Sequence, residues 1–140
     1  MDFKKILPPI IFLFGFRVCE DMKKCICGVA NKEGGAGNQY PWMVAIYLLG
    51  NGKREFWCGG ALVSPTHVVT AAHCTLDAKK RPFRPTQFKI RVGEWDLGDR
   101  DTYSREYRVR HIVSYPQFRP NGFYNDVAVF TLEQPVAFNE

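Results

Sequence analysis

A chain of 140 residues, 46% hydrophobic and 14% aromatic, is long enough to bury one core and too short for two full domains. Its 19 lysines and arginines against 14 acidic residues give a formal charge of +5, but the basic residues are scattered through Lys23-Lys24, Lys79-Lys80-Arg81 and the stretch from Arg105 to Arg110. No clustered basic stripe is present, so nucleic acid is not an expected partner, and the charges are assigned to solvated loops and strand faces.

The chain begins with two lysines and an apolar run from Ile6 to Phe16. That run has the length of a signal-peptide core and falls short of the roughly 20 residues a bilayer-spanning helix needs. Residues 1–18 are therefore expected to be a signal peptide, and the protein to be secreted, with no membrane contact after its removal. Pro8-Pro9 interrupt the run and no small-x-small site stands before Cys19, which leaves an uncleaved anchor as the alternative. Five cysteines, Cys19, Cys25, Cys27, Cys58 and Cys74, fit an oxidising compartment. Their odd number leaves at least one thiol free or paired outside this sequence.

Residues 19–39 carry three cysteines and the string EGGAGNQ without strand or helix periodicity, so they read as an irregular lead-in. From Tyr40 the texture changes. Met43 to Leu49 is an apolar run ended by Gly50-Asn51-Gly52-Lys53, and a second run follows from Glu55 to Val63, which predicts a hairpin. Further strands are expected over His67–Thr70, Gln87–Val92, Glu106–Val113 and Asp126–Leu132, with alternation such as Phe88, Ile90 and Val92 against Lys89 and Arg91. The intervening segments are turn-like, and no long helical pattern occurs. Six short strands with polar turns bury best as an all-β, closed or nearly closed antiparallel barrel, although pattern alone does not separate a barrel from a sandwich.

One histidine stands out. His73, in VVTAAHC, falls at the end of an expected strand, where a general base can be held rigidly, although a structural histidine fits the same position. Cys74 beside it and Cys58 sixteen residues earlier are candidates for a disulfide, worth about 3 kcal/mol for a loop of that length. Asp126 lies between Asn125 and the apolar Val127-Ala128-Val129, a costly place for a carboxylate unless it is paired, with a turn cap as the alternative role.

The segments PWMVAIY (41–47), CGGALVSPTHVVTAAHC (58–74), RVGEWD (91–96) and FYNDVAVFTLEQPV (123–136) together resemble the N-terminal half of trypsin/chymotrypsin-like serine peptidases, over about Tyr40 to Glu140. The resemblance implies the first six-stranded barrel of a double-barrel fold, here 40–140. It also implies His73 as general base, Asp126 as its orienting carboxylate and a Cys58–Cys74 disulfide. The chemistry asks for these types, because a serine hydroxyl is a weak nucleophile until an imidazole takes its proton, and the imidazole needs a carboxylate to fix its tautomer.

Within that family the chain is most similar to arthropod clip-domain proteases and masquerade-like homologs of the prophenoloxidase-activating type, on GEWD (93–96), YNDVAV (124–129) and CICGVAN (25–31). The partners this implies are a protein substrate, or a protease or prophenoloxidase, in an extracellular cascade such as melanisation. A complete clip domain would need six cysteines, and only Cys19, Cys25 and Cys27 precede the barrel. The same resemblance assigns Cys27 a partner beyond Glu140 and leaves Cys19 and Cys25 to pair with each other. No cofactor is required. Glu94, Asp96, Asp99, Asp101 and Glu106 crowd one loop, a density of oxygen ligands that can hold calcium, and the family resemblance points to Glu94 and Glu106 within the candidate set Glu94, Asp96 and Glu106; a solvated acidic turn is the preferred reading. Zinc at Cys25, Cys27, His73 and Cys74 lacks the usual paired spacings.

Two departures matter. No Gly-Asp-Ser-Gly-Gly stretch, the family's nucleophile motif, occurs between Met1 and Glu140, and Ser64 and Ser114 sit in unrelated contexts. The 140-residue chain is accordingly expected to be inactive by itself. The nearest string to a family activation site is Lys32-Glu33-Gly34-Gly35, where cleavage would expose a charged Glu33 poorly suited to a buried socket. Ordinary zymogen activation is not expected, and a noncatalytic homolog acting as a binding cofactor is the alternative reading.

Overall fold

The computed structural model describes residues 40–50, 52–93 and 104–137. The expected signal peptide (1–18), the lead-in (19–39) with Cys19, Cys25 and Cys27, and the loop residues Glu94 and Asp96 lie outside the described residues. Six strands follow in chain order: β1 (Met43–Gly50), β2 (Lys53–Ser64), β3 (His67–Thr70), β4 (Phe88–Val92), β5 (Arg105–Ser114) and β6 (Ala128–Leu132). They close into an antiparallel barrel in the spatial order β1-β2-β3-β6-β5-β4, with β4 paired back onto β1. All six expected strands are present, and the choice between barrel and sandwich falls to the barrel. No helix among the described residues is long and apolar enough to cross a membrane.

The β1–β2 hairpin forms where the sequence asks for it, with Gly50 opposite Lys53 and Gly52 at φ 74°, a left-handed conformation that glycine adopts without steric cost. Alternation then fills the interior. Val44, Ile46 and Leu48 from β1, Val68 from β3, Phe88 and Ile90 from β4, Val109 from β5, and Ala128, Phe130 and Leu132 from β6 are all buried. Each fully buried side chain of this size contributes about 1.5–3 kcal/mol relative to its exposed state. Closure also removes free sheet edges, the usual liability of an all-β chain.

Two segments differ from expectation at their ends. The chain does not carry His73 on a strand: after Thr70 it tightens into a single turn of 3₁₀ helix, Ala72–Thr75. Asp126 likewise precedes its strand, because β6 starts only at Ala128 and the Val127 N–H turns back to the Asn125 carbonyl at 2.9 Å. Both residues therefore sit just off the sheet, at its rim.

At Gly60 in β2, an added Cβ would lie 2.9 Å from Val68 Cγ1, 3.0 Å from the Val69 carbonyl and 3.1 Å from Val44 Cγ2, whereas at Gly59 it would meet nothing within 4 Å. Gly60→Ala should cost about 1–3 kcal/mol in urea unfolding, and Gly59→Ala should stay within about 1 kcal/mol of the parent chain. Equal effects of the two would show that β2 does not pack as described.

Candidate active site

The β3–β6 ladder brings His73 and Asp126 together across 53 positions of sequence. Thr70, the last residue of β3, lies opposite Ala128, the first of β6. In an antiparallel pair these ends share one rim of the barrel. Three residues beyond Thr70 is His73, and two before Ala128 is Asp126.

The turn carrying His73 is held from several sides. Cys74 is bonded to Cys58 of β2 through a disulfide, as the sequence led one to expect. The Cys74 carbonyl accepts the Trp57 indole N–H at 2.8 Å, and the Thr75 hydroxyl donates to the Ala72 carbonyl at 2.7 Å and lies 3.2 Å from the Ser114 hydroxyl. Trp57 in turn packs edge-on against Phe83, Phe83 edge-on against Phe88, and Phe88 at a tilt against Phe130 in the core. An unbroken aromatic row therefore links the histidine turn to the barrel interior. The disulfide should add about 3 kcal/mol by restricting the unfolded chain.

Asp126 arrives through a different device. Phe123 and Asn125 both have φ 55°, the left-handed region, and the Asn125 side chain donates to the Gln117 carbonyl at 3.1 Å. The chain reverses around these residues and presents the Asp126 carboxylate to the histidine turn. One oxygen, Oδ1, accepts the His73 backbone N–H at 2.7 Å. The other, Oδ2, lies 2.6 Å from His73 Nδ1. An ionised carboxylate only accepts, so Nδ1 carries the proton and neutral His73 keeps its lone pair on Nε2.

The Asp126 side chain is 19% exposed and that of His73 is 49% exposed, so the carboxylate is sheltered while the ring remains open to a reactant. Burial pushes the Asp126 carboxyl upward. The His73 ring hydrogen bond, the His73 backbone N–H, the charge of His73 and the Ala72 backbone N–H outweigh it, and the carboxyl is held below its ordinary value. Phe123 stands edge-on to the imidazole with ring centroids 5.3 Å apart, closing one side of it. Such a pair can accept a proton at Nε2 and stabilise the resulting imidazolium.

A sequence model described as Trypsin matches residues 29–140. The chain belongs to the trypsin family. Among curated trypsin-family relatives, the proclotting enzyme of Tachypleus tridentatus is 32% identical over 127 residues, covering 82% of this chain and 34% of that protein. Serine protease snk of Drosophila melanogaster is 31% identical over 126 residues, covering 84% and 28%. Vitamin K-dependent protein C of Rattus norvegicus is 30% identical over 117 residues, covering 84% and 22%. The chain thus spans about a third or less of these relatives. Two of the three are arthropod proteins, in line with the arthropod likeness read from the sequence, and the closed six-stranded barrel is consistent with one half of the trypsin-like double barrel.

The remaining candidates fall elsewhere. Of the acidic set considered for calcium, only Glu106 is described, on β5, where its carboxylate pairs with the Arg54 guanidinium. Cys58, His73 and Cys74 cluster closely, but both sulfurs are consumed by the disulfide, which removes them as metal ligands. Ser64 bonds the ring of a different histidine, His67 Nδ1, at 2.7 Å, and Ser114 bonds Thr75, so neither approaches His73 as a nucleophile. Sequence reasoning missed Trp57 and Phe123. The adjacency of Trp57 to Cys58 was a usable signal for the first, but nothing local marks an aromatic at positive φ for the second.

A carboxyl whose folded value is depressed stabilises the protein above its unfolded value, near pH 4, and loses that contribution as pH falls through the folded value. The stability gap between the parent chain and Asp126→Asn should therefore be widest at neutral pH and close progressively in acid, in urea melts taken from pH 7 to pH 2.5. A gap independent of pH would show that the carboxylate is not paired.

Proposed function

We propose that this barrel is the base-bearing half of a secreted serine endopeptidase acting on protein substrates in an extracellular proteolytic cascade. In this reading His73 Nε2 takes the proton of an attacking serine hydroxyl, and Asp126 fixes the imidazole tautomer and stabilises its charged form. The serine belongs to sequence outside residues 1–140. The observation that carries the reading is the two-point grip of Asp126 on His73, at backbone and ring, beside an exposed imidazole face. Trypsin-family membership supports the reaction class. The Cys58–Cys74 disulfide supports an oxidising, extracellular setting.

A second reading is favoured by the sequence before the barrel. Lys32-Glu33-Gly34-Gly35 is a poor activation site, which suits a noncatalytic homolog that binds a protease or a prophenoloxidase as cofactor in a melanisation or immune cascade. The two readings part at the family's nucleophile position in any longer product of the gene: serine in a Gly-Asp-Ser-Gly-Gly stretch means a peptidase, and glycine in place of that serine means a homolog.

The 140-residue chain contains a base and no nucleophile for it. A serine-directed fluorophosphonate probe should leave it unlabelled. Mass-spectrometric detection of the probe on Ser64, Ser114 or any other serine of the folded chain would refute the assignment.

A further inference from the structure

Exposed loops are where peptidases that cut after basic residues attack first, because a loop can be drawn into an extended form without breaking a sheet ladder. The arginines among the described residues divide cleanly by location. Arg54, Arg91, Arg105, Arg108 and Arg110 lie within β2, β4 and β5, and none of them precedes a proline. Arg81, Arg84 and Arg119 lie in loops, all three are exposed, and each precedes a proline: Pro82, Pro85 and Pro120. With nine prolines in 140 residues, such a pattern is not what composition alone would produce.

The two loops concerned border the His73–Asp126 pair. One leaves the histidine turn and runs to β4, and the other joins β5 to Asp126. The Lys80 ammonium donates to the Asn121 side-chain carbonyl, tying one loop to the other. A nick in either would loosen the segments that position the pair.

Hydrolysis after an arginine adds water across the amide, leaving a carboxylate on the arginine and releasing the next residue as an amine whose nitrogen must be protonated. Proline carries its ring carbon on that nitrogen in place of hydrogen, which crowds the leaving atom, and it restricts the backbone of the arginine before it. We infer that the loops bordering the His73–Asp126 pair are built to withstand endopeptidases that cut after arginine, with a proline following every arginine that lies outside a strand among the described residues, while the exposed Arg54, Arg105, Arg108 and Arg110 are held in the sheet ladder.

The lysines in the same loop are guarded by other means. Lys79-Lys80 has no proline after it, but the Asp77 carboxylate accepts the Lys79 N–H at 2.8 Å, the Arg81 N–H at 2.9 Å and the Arg81 side-chain Nε–H at 2.8 Å. The Asp77 N–H also donates to the Arg81 carbonyl at 2.9 Å, and Lys80 sits at φ 62°, far from extended. That turn must open before a peptidase can take it. Proline is the stronger guard, since it persists when the loop opens. The partner class this implies is a peptidase with arginine specificity, in whose presence the protein must stay intact.

The test is limited proteolysis of the full 140-residue chain with an arginine-specific endopeptidase, mapping cuts by mass spectrometry. The parent chain should show none after Arg81, Arg84 or Arg119. A Pro82→Ala/Pro85→Ala/Pro120→Ala variant that melts like the parent should be cut after these arginines at least tenfold faster. Each proline is also replaced singly, so that a triple variant unable to fold still leaves three separate tests. Cleavage of the folded parent at any of the three bonds, or folded variants as resistant as the parent, would overturn the inference.

Discussion

The register of β3 against β6 is the constraint on which the site depends. Thr70 opposite Ala128 sets the two strand ends level at one rim, and the few residues beyond each end then meet. A one-residue slip would turn the side chains of β6 to the opposite face, exposing Phe130, which is fully buried, and would carry Asp126 away from His73. The hydrophobic core thereby enforces the geometry of the polar pair. Its stability and its chemistry are set by the same ladder.

Around that ladder, each partner is fixed by means suited to its role. The histidine turn is covalently tied to β2 and anchored through Trp57 to a row of aromatic rings that ends in the core. The aspartate is delivered by a chain reversal through Phe123 and Asn125, and then secured by two donors of the same residue, His73. Gripping both the backbone and the ring of His73 orients the imidazole about two points, which a single ring contact would not do. The His73 side chain is half exposed, with Nε2 3.6 Å from the Cys74 sulfur, so an incoming group can reach the ring as proton transfer requires.

Much of this was legible in the sequence, for physical reasons that differ by element. The alternation of Phe88, Ile90 and Val92 reports a two-sided strand because side chains on a strand alternate between core and solvent. Asn51-Gly52 announces a hairpin because few other residue pairs tolerate its backbone. The Cys58–Cys74 pair was a candidate from position alone and gained support from family likeness, whereas the meeting of His73 with Asp126 was reached through family likeness, since no local rule links residues 53 positions apart. The order of strands around the barrel was not readable, because β6 enters between β3 and β5 only when the whole sheet closes. The exact seat of His73 was missed for a related reason. Its 3₁₀ turn depends on bonds from Thr75 and Trp57 that no periodicity records, and Phe123 at positive φ is imposed by the loop against the preference of an aromatic residue.

The most direct test is the protonation pattern of the His73 ring. Long-range ¹⁵N–¹H correlation NMR of the folded chain above the histidine titration range should show neutral His73 with its proton on Nδ1, shifted strongly downfield, and an unprotonated Nε2; Asp126→Asn should abolish that downfield proton. A ring protonated on Nε2, or a spectrum unchanged by Asp126→Asn, would contradict the claim that the β3–β6 register assembles a base and its orienting carboxylate.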